Sequence, residues 1–280
     1  MSKRILIVGA NSSVAVAFAQ VAAEQGHQFY GLYHRETDRV EADLFVDLIS
    51  QDADWAQLEV DAVVFFAAHI PSGQYNVIDK RFNDVNQLLL DCTANFPAAR
   101  FVYCSSVAVY GLPLDLPLHE RSPFNQPSNY ALAKLAGENI VHNHANGISL
   151  RIGAMYGNQM QLGLVHRYCH QAKLNGEIVV YGDGSRLQDY LHVSDVAQCL
   201  LAAIESDVRQ PVLCVSGKST SNLELAQLIA ANLADCKVSL QNVDESPSTV
   251  FENTKSCELL SWQPSISIEQ GISELIAGNL

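Results

Sequence analysis

Basic residues are scarce in this chain. Lys and Arg number 17 against 30 Asp and Glu, a formal net charge of −13, and no basic block stands out. That scarcity argues against nucleic acid and anionic membranes as partners. A helix N-terminus with one or two arginines can still hold an anionic small ligand on an acidic protein. Paired-cysteine motifs are missing too. The seven cysteines (Cys92, Cys104, Cys169, Cys199, Cys214, Cys236 and Cys257) are scattered, odd in number and without CxxC or Cys/His spacing. They read as reduced core thiols, and no metal is expected. No apolar run reaches the roughly 18 residues of a membrane span. The stretch after Lys3-Arg4 holds only Ile5 to Val8 before Gly9, too short for a signal-peptide core, so the expected address is the cytoplasm. Internal repeats and low-complexity segments are absent as well. What is present is bulk: 280 residues, 48% hydrophobic, enough for a full core in one large domain or two small ones.

Arg4 to Val8 (RILIV) is a β-branched run closed by Gly9-Ala10-Asn11, and a helical apolar pattern from Val14 to Ala23 follows it. Strands are predicted at Gln28 to Tyr33, at Ala62 to Ala68, whose nearly continuous apolar run suits a strand buried on both faces, and at Arg100 to Cys104. Helical spacing marks Asn83 to Cys92 and Tyr130 to His144. This alternation predicts an α/β fold with a doubly wound parallel sheet, the Rossmann architecture. Past Tyr156-Gly157 the texture changes: a helix near Leu162 to Asn175, a strand Ile178 to Tyr181, and helices at Leu223 to Leu233 and Ile268 to Ala277. The expected organisation is a dinucleotide-binding domain over 1–157, to which 188–205 returns, and a smaller C-terminal substrate-binding lobe from 158–187 and 206–280.

Gly9, directly after the first strand, suits a phosphate-binding turn. A residue without Cβ permits the bend, and the next helix aims its free N–H groups at a pyrophosphate. Ser12, Ser13 and Val14 would line that turn. In the spacing GxxGxxG the second and third positions hold Ser12 and Ala15, so a Cβ stands where close backbone approach is wanted. The segment reads equally as an ordinary strand-helix turn capped by Ser12 or Ser13. At the end of the second strand a carboxylate would bind the ribose 2′-hydroxyl of NAD, but Tyr33-His34-Arg35 stand there. Arg35 favours the 2′-phosphate of NADP, with a solvated loop charge as the other reading. Asp47-Leu48 are placed to flank an adenine, and Ala67-Ala68 offer small side chains where a cofactor crosses the strand ends; either pair also reads as plain loop and core.

Tyr130 and Lys134 lie four apart on a predicted helix, on one face. Upstream, a buried strand ends in Cys104-Ser105-Ser106, and strand C-termini in open α/β sheets face the ligand crevice. A hydroxyl, a phenol and an ammonium converge. Removing hydride from a carbinol requires a base for its hydroxyl proton, and a free phenol, with pKa about 10, is a poor one near neutrality. A neighbouring Lys134 ammonium stabilises the phenolate, and Ser106 hydrogen-bonds the substrate oxygen. The plainer alternative has Ser106 capping and Tyr130 packing with its hydroxyl satisfied.

The chain resembles the extended short-chain dehydrogenase/reductases, also called NAD-dependent epimerase/dehydratases, most of which act on nucleotide sugars. The resemblance is carried by ILIVGA (Ile5 to Ala10), DAVVFFAA (Asp61 to Ala68), FVYCSSVAVYG (Phe101 to Gly111) and Glu120 with PSNYALAK (Pro127 to Lys134). It continues through LRIGAMYG (Leu150 to Gly157), VVYGDGS (Val179 to Ser185), DYLHVSDVA (Asp189 to Ala197) and LLSWQP (Leu259 to Pro264). It implies Ser106 as the family serine, Tyr130 as acid/base, Lys134 as the ribose-binding lysine, and a homodimer pairing the helices at Asn83 to Cys92 and Tyr130 to His144. Departures accompany it: Ile152 stands for a usual proline, Cys214 for a common asparagine and Ser261 for a common glycine. Gln188 stands where many members carry an arginine that forks onto the substrate pyrophosphate, with Arg186 and Arg167 as substitutes nearby.

Within that family a 4,6-dehydratase would need an acidic pair beside the catalytic hydroxyl, and Ser105, Val107 and Ala108 supply none. A ketoreductase exchanging NADPH is favoured by Tyr33-His34-Arg35; a nucleotide-sugar 4-epimerase retaining NAD is the alternative. From another class stands a non-catalytic NAD(P)-binding sensor or scaffold, to which the altered glycine turn would point.

Overall fold

The computed structural model describes residues 2–33, 47–50, 54–71, 79–158 and 160–278. Its N-terminal strand and helix are the predicted ones. Strand β1 (Arg4–Val8) is β-branched at Ile5, Ile7 and Val8 and buried from Ile5 onward, and alternate residues enter opposite layers. Ile5 and Ile7 pack with Phe18 and Ala19 of helix α1 (Ser13–Ala23), whereas Leu6 and Val8 pack with Phe65, Phe101 and Leu89 on the other face. Among the buried residues of α1 are Ala15, Ala19 and Ala22, and small side chains let helix α5 (Val193–Glu205) lie close against it.

Strand β1 pairs with β2 (Gln28–Tyr33) on one side and β4 (Ala62–Phe65) on the other. β2 continues to β3 (Asp47–Ser50), and β4 to β5 (Arg100–Ser106), β6 (Gly147–Ile152) and β10 (Val212–Cys214). All these pairings are parallel, in the order β3-β2-β1-β4-β5-β6-β10. The strand order reverses between β1 and β4, and at such a switch point a crevice opens beyond the carboxyl ends of the strands. Helices α2 (Arg81–Asn95) and α3 (Asn129–His142) cover one face and contact each other.

Two sequence expectations shift. The strand predicted to Ala68 ends at Phe65, because the Phe66 and Ala67 N–H groups turn back onto the Val8 carbonyl at 2.9 and 3.0 Å. Val212–Cys214, expected in the second lobe, is the edge strand of the large sheet beside β6. Three residues after Pro211 carry no periodic signal of their own, and only long-range pairing fixes their place.

Strand β9 (Leu187–His192) lies between β7 (Ala154–Tyr156) and β11 (Ser219–Ser221) in a three-stranded sheet. A second core gathers Tyr168 and Cys169 of α4 (Leu164–Asn175), Ile178 and Val180 of β8 (Glu177–Tyr181), Leu225 and Ile229 of α6 (Asn222–Ala231), and Ile272 and Leu275 of α8 (Ile268–Ala277). Strand β12 (Lys237–Gln241) pairs with β8, and α7 (Thr254–Leu260) contacts α5 and β10. All seven cysteines are unpaired. Among the described residues no helix is long and apolar enough to cross a membrane.

Candidate active site

A cleft of about 1020 Å³ opens at the switch point. Gly9, Ser12, Ser13 and Val14 line it from the end of β1, Ala67 and Ala68 from the end of β4, Ser106 from β5, and Tyr130 and Lys134 from α3. Nine of the residues singled out in the sequence thus share one wall-to-wall space. Arg35 lies outside the described residues. Asp47 and Leu48 begin β3, paired opposite Tyr30 and Gly31.

Gly9 is required twice over. Its φ is +87°, in the left-handed region, and a Cβ there would stand 2.8 Å from the Ala67 backbone nitrogen. The backbones leaving β1 and β4 therefore approach as closely as a glycine allows. Gly9 and Ala10 both donate their N–H to the Leu32 carbonyl, at 2.9 and 3.1 Å, which pins the turn to β2. Ser12, in the second fingerprint position, is the N-cap of α1: its backbone is extended, and its hydroxyl accepts the Ala15 N–H at 3.3 Å. The capping role and a place in the cleft turn out to be held by the same residue.

Ser106 ends β5 with extended backbone, and its Oγ accepts the Ala108 N–H at 3.2 Å, starting a short 3₁₀ turn over Val107–Tyr110. That bond uses an oxygen lone pair and leaves the hydroxyl proton for a ligand. Tyr130 is half-buried at the second position of α3, which Ser128 caps by accepting the Ala131 N–H at 3.3 Å. One turn on, the buried Lys134 donates from Nζ to the Cys104 carbonyl at 2.8 Å. Its ammonium lies 5.0 Å from the centroid of the Tyr103 ring and 6.0 Å from that of Tyr130. Burial pulls the ammonium down to about 8, opposed by the negative potential of Cys104 and Glu138.

The cleft also holds residues that sequence reasoning did not single out. His69 follows Ala68, with its Nε2 2.9 Å from the Asp79 carboxylate, which Arg81 holds well below the usual carboxylate range through side-chain and backbone hydrogen bonds. Lys80, at the N-terminus of α2, and the segment Met160 to Leu162 complete the rim. His69 stood in the sequence directly after Ala67-Ala68, and that adjacency was its signal.

Arg186 and Gln188 are not among the cleft-lining residues. The Gln188 amide donates to the Tyr190 hydroxyl at 3.0 Å and to Asn222 Oδ1 at 2.8 Å, and Arg186 donates to the Pro247 carbonyl at 3.2 Å with Asp244 3.7 Å away. Arg167 lies over the rings of Tyr168 and Tyr181, at 5.7 and 5.8 Å. The structure does not bring these groups into the space that holds Tyr130.

Comparison with known proteins agrees with this arrangement. The chain is similar to a UDP-glucose 4-epimerase of Mycolicibacterium smegmatis, 25% identical over 305 residues spanning 98% of this chain and 97% of the relative. It is also similar to a dTDP-4-dehydro-6-deoxy-D-allose reductase of Streptomyces bikiniensis, 23% identical over 94% of this chain and 92% of that one. Among solved structures, a UDP-N-acetylglucosamine 4-epimerase of Methanobrevibacter ruminantium M1, in complex with UDP-N-acetylmuramic acid, superposes with a TM-score of 0.86 at 19% identity, covering 100% of this chain and 99% of that one, a likeness of fold. The model of the NAD dependent epimerase/dehydratase family matches residues 5–214, and the chain is an enzyme of that family.

Proposed function

We propose that the protein is an NAD(P)-dependent oxidoreductase that moves hydride between a nicotinamide cofactor and a carbinol or keto carbon of a nucleotide sugar, and that it works as a ketoreductase. The observation that carries this reading is the single cleft joining the Gly9 turn to Ser106, Tyr130 and Lys134. The residues fit a dinucleotide. The Gly9–Ala67 approach leaves no room for a Cβ, as a backbone cradle requires, and the N-terminus of α1 opens on the same space. Gly9, Ser12, Ser13, Val14, Ala67 and Ala68 would hold it, with Lys134 on the nicotinamide ribose.

When bound, the nicotinamide supplies or accepts the hydride. The protein's own groups handle the oxygen. In reduction, Tyr130 donates its phenolic proton to the carbonyl oxygen as the carbon becomes tetrahedral, and Ser106 donates a second hydrogen bond to that oxygen. The Lys134 ammonium, held by Cys104, stabilises the phenolate that Tyr130 becomes. In oxidation the same phenolate accepts the carbinol proton.

The run Tyr33-His34-Arg35 in the sequence favours NADP and so a cofactor exchanged at each turnover. The 25%-identical epimerase relative supports the second reading, a 4-epimerase retaining NAD. The test is a paired fluorescence titration of cofactor-stripped protein with NADPH and NADH, followed by UDP- and dTDP-hexoses and their 4-keto forms. NADPH preference with consumption of a keto sugar supports the reductase. Retained NAD with interconversion of UDP-hexoses supports the epimerase. Binding of neither dinucleotide overturns both.

A further inference from the structure

Beside Lys134 lies a buried ion pair that hydride transfer as described leaves without a role. Glu138, 7% exposed, stands one turn past Lys134, as Lys134 stands one turn past Tyr130, so the three project along one face of α3. Glu138 Oε1 accepts the Ser105 hydroxyl at 2.6 Å and Arg151 Nε–H at 3.0 Å, and Oε2 accepts Arg151 Nη2–H at 2.8 Å. Arg151, on β6, directs Nη1 to the Tyr110 hydroxyl at 3.0 Å and the Glu120 carbonyl at 2.8 Å. The Glu120 carboxylate in turn accepts the Ser256 hydroxyl, whose oxygen accepts the Leu213 N–H at 2.6 Å. One carboxylate therefore ties α3 to the end of β5 and to β6, and through Arg151 to the 3₁₀ turn that Ser106 caps.

Stability alone is a weak account of such a pair, because burying two charges costs about as much as their attraction returns, and apolar replacements of equal shape are often neutral. Geometry gives a better one. Ser105 immediately precedes Ser106, so the bond from Ser105 to Glu138 fixes the backbone from which the Ser106 hydroxyl projects. We propose that Glu138 is a positioning residue: through Ser105 and Arg151 it sets where Ser106 stands relative to Tyr130, and with Arg151 it sets the electrostatic field at the Lys134 ammonium. This rests on the reading of Ser106, Tyr130 and Lys134 as the hydride-transfer site. The groups facing Lys134 are Tyr130 and Glu138 from α3 and Tyr103 and Cys104 from β5. Of these, Glu138 is the carboxylate, and its cationic partner is Arg151, with Nη2 2.8 Å from Oε2.

The experiment follows the Lys134 amine directly, by NMR titration of protein carrying ¹⁵N-lysine, with the signal assigned by its loss in Lys134→Met. In Glu138→Gln, which keeps the shape and removes the charge, Lys134 titrates lower by about one pH unit. In the neutral pair Glu138→Gln/Arg151→Met it returns toward the wild-type value. A second variant, Ser105→Ala, leaves the ion pair and the fold in place, and its crystal structure shows the Ser106 hydroxyl displaced or in two rotamers. Unchanged Lys134 titration in Glu138→Gln overturns the proposal, as does an unmoved Ser106 in Ser105→Ala. None of these readouts needs a substrate, so a wrong reaction assignment shows in turnover and leaves this test standing.

Discussion

Lys134 Nζ donates to the Cys104 carbonyl at 2.8 Å, joining the middle of α3 to the strand that delivers Ser106. A buried ammonium held mainly by a neutral carbonyl is a costly arrangement, and its titration near 8 expresses that cost. Between about 8 and the 10.5 of a free lysine, the unfolded chain binds more protons at this residue than the folded one. Stability contributed here therefore rises with pH across that window, and the full cost, about 3 kcal/mol, is present below it. Lys134→Met should lose turnover yet melt several degrees higher near neutral pH. Calorimetry at increasing pH should find that advantage shrinking above about 8; a variant less stable than wild type at neutral pH would contradict this.

The Gly9 turn yields a second expectation. Gly9→Ala places a methyl carbon 2.8 Å from a backbone nitrogen that cannot yield, at a φ that costs an alanine about 1 kcal/mol by itself. We expect a loss of at least about 2 kcal/mol in urea unfolding and weakening of dinucleotide binding by more than about tenfold. Unchanged binding would mean that this turn is not where the pyrophosphate lies.

Ser12 separates capping from ligand approach. Ser12→Ala removes the hydroxyl that caps α1 and should cost about 1 kcal/mol, whereas Ser12→Gly should cost only a few tenths. Because glycine also removes the Cβ from the turn after β1, Ser12→Gly should bind NADH or NADPH more tightly than wild type on the proposed reading. Isothermal titration of the two variants compares them; weaker binding by Ser12→Gly would show that the serine hydroxyl serves the ligand.

Gly137 reverses a usual rule. In an exposed helix, Gly→Ala gains about 1 kcal/mol. Here the added Cβ would lie 2.5 Å from Cζ of Tyr103, a ring 1% exposed, so α3 would be pushed off β5. Gly137→Ala should destabilise by about 1–3 kcal/mol, read from the urea midpoint. A gain in stability would mean that Tyr103 can move aside.

Several elements around the cleft were legible because they are self-describing. RILIV and QFYGLY are bounded as the structure bounds them, and Ile268 to Ala277 is helical as its spacing predicts. The residues of the Gly9 turn and those of the Ser106, Tyr130 and Lys134 set meet in one cleft, as strand ends and helix spacing led us to expect. What the sequence hid depends on long-range contact. Val212–Cys214 takes its place from Leu150 to Ile152, and the Glu138–Arg151 pair spans α3 to β6, with only the turn-by-turn spacing of Tyr130, Lys134 and Glu138 as a signal. Arg186 and Gln188 looked like ligand groups because a motif places them beside Asp189, but spacing does not say which neighbours their side chains find. They find Pro247, Asp244, Tyr190 and Asn222.

The central claim is that Tyr130 moves the proton in the reaction of this cleft, and Tyr130→Phe tests it with the fewest assumptions. The change removes one oxygen and keeps the ring. Dinucleotide affinity by fluorescence titration should stay within about twofold of wild type. Turnover of the substrate that the wild-type enzyme converts should fall by about a hundredfold or more. A Tyr130→Phe enzyme that turns over as fast as wild type would contradict the assignment and leave Tyr130 a packing residue.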